Sequence, residues 1–93
     1  IPVVTPAVFE LGAAYPNPFN PTTNITLDVM DAGYVSIKVY NVLGQVSSVL
    51  SEGYMQPGNY ALTWDASEEV SGMYLVRAET AGHVSTQKLL LIK

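Results

Sequence analysis

Cysteine is absent from the 93 residues. That removes disulfide staples and thiolate metal sites, and with them the disulfide-rich class of small secreted folds, although not secretion itself. Charge is scarce as well: Asp, Glu, Lys and Arg make up 13% of the chain, against about 25% in an ordinary soluble domain. Basic residues are the scarcer kind, four against eight acidic ones for a net charge of −4, which argues against a nucleic-acid binder and its basic face. No apolar run approaches the roughly 20 residues of a spanning helix; the longest stretch of large aliphatics is Leu89-Leu90-Leu91-Ile92. The chain opens at Ile1 with neither a methionine nor a basic-then-apolar leader, so it is expected to be a processed product or a piece of a longer protein.

What is present is apolar and punctuated. Apolar residues make up 48%, which leaves either non-polar surface for contact with a protein or an assembly, or a surface covered by Ser, Thr, Asn and Gln. The length predicts one domain. Residues 1–8 read as an extended arm, and residues 9–93 as the folded unit. Tyr15-Pro16-Asn17-Pro18-Phe19-Asn20-Pro21 is the stiffest stretch: its prolines fix φ and delete backbone donors, and the residues before them are pushed towards extended geometry. This segment is expected to carry the chain from one sheet to the other, with Phe19 or Tyr15 plugging the end of the core.

The rest alternates with period two. Phe9–Leu11, Asn24–Val29, Tyr34–Tyr40, Val46–Leu50, Asn59–Trp64, Met73–Glu79 and Val84–Ile92 read as strands. Asn41–Gln45 reads as a hairpin loop in which Asn41 bonds nearby backbone and Gly44 supplies a positive φ. Ser51–Gly58 reads as a looser connection, and Trp64 as the centre of the core. From Leu89 the last strand is apolar on both faces, which predicts cover on both sides or docking against a partner. The fold class is all-β: a seven-stranded antiparallel immunoglobulin-like β-sandwich without a disulfide.

Chemistry is hard to find in this pattern, and no catalytic residue, metal ligand set or cofactor is assigned. His83 is the one histidine and follows the Ala81-Gly82 turn, where an exposed ring is the default; no serine sits in a Gly-x-Ser-x-Gly elbow. Asp65, Glu68 and Glu69 share a loop that could offer oxygens to calcium, but a solvated turn with Asp65 capping backbone amides fits better. Tyr34 and Tyr40 lie on the outward face of one strand, roughly 20 Å apart, too far to grip one sugar ring unless neighbouring strands contribute. Asn24-Ile25-Thr26 matches the glycosylation pattern inside an alternating strand, where coincidence explains it.

Six motifs in order point further. Phe9-Glu10-Leu11, Tyr15 to Thr23, Val35 to Gln45, Tyr60 with Trp64-Asp65, Ser71-Gly72-Met73-Tyr74 and Lys88 to Lys93 together resemble the type A C-terminal sorting domain of the type IX secretion system, over about residues 9 to 93. A similar sandwich occurs in the flagellar hook-capping protein. The resemblance implies a non-enzymatic module of a secreted bacterial protein, read by outer-membrane secretion machinery and placed at the cell surface or outside the cell after transit through the periplasm. It implies that Gly72, Tyr74 and the segment Lys88, Leu89, Leu90, Leu91, Ile92 and Lys93 carry recognition, and that a receptor could pair along the edge of that terminal strand.

Two other functions stay open. A self-assembling subunit of an extracellular filament or lattice would join through terminal strands, with the arm Ile1, Pro2, Val3, Val4 and Thr5 completing a neighbour's sheet. A carbohydrate-binding module using Tyr34 and Tyr40 ranks behind both.

Overall fold

The computed structural model describes residues 8–80 and 82–93. Seven strands form among these residues: β1 (Val8–Leu11), β2 (Thr22–Asp31), β3 (Gly33–Tyr40), β4 (Val46–Met55), β5 (Gly58–Asp65), β6 (Gly72–Thr80) and β7 (His83–Leu91). They make two antiparallel sheets, ordered β1-β2-β5 and β4-β3-β6-β7, so the expected seven-stranded sandwich is the fold. In antibody constant domains the fourth strand lies beside the fifth; here β4 pairs with β3 instead.

The tight Asn41–Gln45 connection dictates that pairing. Asn41 Oδ1 accepts from the backbone amides of Leu43 at 2.9 Å and Gln45 at 3.0 Å, and Gly44 sits at φ +80°, a conformation costly for any residue with a Cβ. A chain reversed this sharply has to return along its own neighbour.

Period-two alternation supplies the core. Ile25, Leu27 and Val29 of β2 face Val35, Ile37 and Val39 of β3 and Val76 and Ala78 of β6, all essentially without solvent exposure. Each fully buried Val, Leu or Ile among them contributes about 1.5–3 kcal/mol. Trp64 is buried, but it lies in an aromatic group at one end of the sandwich rather than at the centre: its ring is 5.5 Å from Phe19 and 5.1 Å from Tyr74. Among the described residues the two buried polar side chains, Thr23 and Thr80, have acceptors, Thr23 Oγ1 donating to Pro16 O and Thr80 Oγ1 to Tyr34 O, each at 2.7 Å.

Three further expectations change. Ser51–Gly58 is not a loose loop: β4 runs on to Met55, whose register partner is Gly33, and only Gln56-Pro57 separates it from β5. Gly53 lies within this strand opposite Val35, so a single glycine did not end it; proline, which deletes a ladder donor, did. Of the two alternatives for the stretch from Leu89, cover on both sides falls, since Leu89 and Leu91 are buried while Leu90 and Ile92 remain exposed.

The proline segment, third, does not carry the chain between sheets. β1 and β2 are antiparallel neighbours in one sheet. The connection between them stays beside β2 as far as the bridge between Tyr15 and Asn24, then swings out to β7 of the other sheet at Phe19 and returns to begin β2 at Thr22. Phe19 is the plug, 2% exposed, and Tyr15 stands in solvent at 80%.

Candidate functional site

The terminal strand β7 is the place to begin, because it lies at an edge of its sheet and an open edge invites pairing. Over Lys88 to Ile92 that edge is already filled. Asn17 Nδ2 donates to Lys88 O at 2.8 Å, and the Leu90 amide donates to Asn17 Oδ1 at 3.0 Å. Phe19 continues the ladder: its amide donates to Leu90 O and its carbonyl accepts from the Ile92 amide, both at 2.9 Å. Asn17 can do this because a side-chain amide offers one donor and one acceptor, as a peptide unit does. The flanking prolines have no amide hydrogens to offer.

The same end of the sandwich holds the β5–β6 loop. Tyr74, early in β6, sends its hydroxyl back to Val70 O at 2.7 Å, the geometry of a tyrosine corner. Burial raises its phenol above the usual 10.0, helped by the charge of Glu69. Asp65 caps the other side of the loop, accepting from the Ser67 amide at 3.0 Å. Hydrogen bonds from the Ser67 hydroxyl and amide hold its carboxyl below the usual 3.8 against the opposing effect of desolvation, and the charge of Lys93 lowers it further. Lys93 ties strand to loop, its amide donating to Ser71 Oγ at 3.0 Å and its Nζ to Ser67 O at 2.5 Å.

The residues that the family resemblance implies for recognition thus meet at one end, in two different settings. Tyr74, Leu89 and Leu91 are buried, so they can shape this end but not touch a partner. Lys88, Leu90, Ile92 and Lys93 are exposed; Gly72 is half-buried and pairs with Leu91. Val42, Leu43, Val70 and Met73 join them as exposed apolar side chains, and Val42, Leu43, Val70 and Met73 line one shallow depression of about 360 Å³. The sequence could have flagged Val42 and Leu43, two apolar residues in a turn. Asn17 carried no signal, since its partner strand is more than seventy residues away.

The other candidates fall elsewhere. His83 packs against Phe9, ring centroids 4.9 Å apart. Tyr34 has Tyr54 as its register partner on β4, while Tyr40 borders a depression at the end just described. Asn24 is in β2 and accepts from Thr63 Oγ1 at 2.8 Å. The assembly arm Ile1–Thr5 lies outside the described residues.

Comparison with known proteins bears on the fold and on the site. No curated protein matches the chain. Among solved structures it is similar to dimeric latent PorU from Porphyromonas gingivalis, with a TM-score of 0.67 and 16% identity over 99% of this chain and 10% of that one. At that identity the likeness speaks for the fold alone, and the chain spans about a tenth of the PorU chain. The model of the secretion system C-terminal sorting domain matches residues 13–93. That range takes in the proline segment, the hairpin, the tyrosine corner and the terminal strand, and the chain belongs to the type IX secretion C-terminal sorting domain family.

Proposed function

We propose that this secretion-sorting module is read by outer-membrane secretion machinery at the end of the sandwich where β7, the Asn41–Gln45 hairpin and the β5–β6 loop converge. It directs the polypeptide that bears it to the cell surface or beyond, serves there as an anchoring unit, and performs no catalysis of its own. The observation that carries this reading is the family match over residues 13–93.

The geometry supports a particular division of labour. Tyr74, Leu89 and Leu91 hold the end in shape from within, while Lys88, Leu90, Ile92 and Lys93 offer the outward groups a receptor would touch. Recognition by adding a strand to β7 between Lys88 and Ile92 is disfavoured, because Asn17 and Phe19 already use those backbone groups.

The test is export of a passive reporter fused ahead of Ile1 in a host with a working type IX system. The expected result is reporter outside the cell with the domain and inside without it. Periplasmic retention of a folded fusion contradicts the proposal.

A further inference from the structure

Next to that end, the outward face of the four-stranded sheet carries an open depression of about 450 Å³, within the range of ligand sites. Tyr40, Met73 and Leu75 give it apolar surface, Val42 of the hairpin forms one margin, and Arg77 and Lys88 border it. Two of the chain's four basic residues line it and none of its eight acidic residues does. In a chain of net charge −4 that is a local reversal of sign.

Both cations have capacity left. Among the described residues Lys88 has no carboxylate partner, the ion pairs being Lys38–Glu52 and Arg77–Glu79. Arg77 gives one Nη to Glu79 at 2.8 Å, while its Nε is buried without an acceptor, a desolvation cost that a nearby anion would offset.

We infer that this depression binds a peptide segment of the recognising partner in which apolar side chains are flanked by carboxylates. The apolar surface takes the aliphatic or aromatic anchors, and Arg77 and Lys88 take the acids. A peptide fits better than a bare anion, because the side chains of Met73 and Leu75 offer an anion nothing. The inference rests on the sorting role proposed above, since it names the chemistry of the partner that reads this end.

The probe is a fluorescein-labelled peptide with two leucines between pairs of glutamates, titrated with the full chain and followed by anisotropy. Its glutamine analogue is the control. The acidic peptide is expected to bind at least about tenfold tighter than the analogue, and to weaken as salt is raised. Lys88→Glu is expected to abolish that preference, with unchanged Trp64 fluorescence showing the fold intact; Arg77→Gln serves as a second variant. Equal binding of the two peptides, no binding, or full displacement by inorganic phosphate overturns the inference, as does a depression occupied by a second copy, detected as self-association lost in Lys88→Glu. Reporter export separates the two claims. If the wild-type domain exports the reporter and Lys88→Glu exports it equally, the peptide inference falls and sorting stands; if the wild type does not export, sorting itself falls.

Discussion

Asn17 shows most plainly how one side chain can substitute for a backbone. It supplies one donor and one acceptor to β7 where Pro16 and Pro18 supply no amide hydrogen. Asn17→Ala leaves the Leu90 amide and the Lys88 carbonyl unpaired in a site that water can reach, so the expected loss is about 1 kcal/mol in urea unfolding. Amide exchange at Leu90 should quicken with it, and an unchanged Leu90 rate would refute the clasp. Asp65 and Tyr74 make a second pair of expectations. The Asp65 carboxyl is depressed in the folded state, so its contribution is complete above the ordinary 3.8 and is lost as pH falls through the lower folded value. The Tyr74 phenol is raised, so its contribution is complete below 10.0 and is lost as pH climbs through the higher folded value. Urea midpoints taken across pH should therefore show a shallower acid flank for Asp65→Asn and a shallower alkaline flank for Tyr74→Phe.

At the scale of elements, the two faces of β7 predict opposite sensitivities. Leu89→Ala and Leu91→Ala empty core volume and should each cost about 2–5 kcal/mol. Leu90→Ser and Ile92→Ser alter exposed positions and should stay within about 0.5 kcal/mol; urea midpoints of the four variants check the parity. The sequence could not assign that parity, because Leu89 to Ile92 are all apolar and period two leaves no trace in a uniform run. Elsewhere alternation was readable: Ile25, Leu27 and Val29, then Val35, Ile37 and Val39, turn inward as their spacing says. The hairpin was readable too, because Asn41 and Gly44 act on their immediate neighbours. The path of the proline segment was not, since proline states what a backbone cannot donate and says nothing of which distant strand it lies against. β4 was cut short for a related reason. Gly53 looks like punctuation in a window, yet across the ladder it is held by Val35.

For the whole molecule, the end proposed to be recognised is a composite of segments far apart in the chain: residues 17–19, the hairpin at 41–45, the loop at 66–71 and the terminal strand. The family motifs named Gly72, Tyr74 and Lys88 to Lys93 as a linear set, and folding divides that set into buried supports and exposed groups. Val42, Leu43, Val70 and Met73 enter the site only through the tertiary arrangement. The loss of export in a variant is therefore informative only when the variant still folds. Leu90→Ser with Ile92→Ser meets that condition, because both side chains are exposed and the backbone bonds of Leu90 and Ile92 to Asn17 and Phe19 do not depend on side-chain identity. The decisive measurement is the fraction of a fused reporter found outside the cell for the wild-type domain and for this double variant, both confirmed folded by the fluorescence of Trp64. Export by the wild type with retention of the double variant in the periplasm is the predicted result. Equal export by the two contradicts an outward-facing recognition surface on β7.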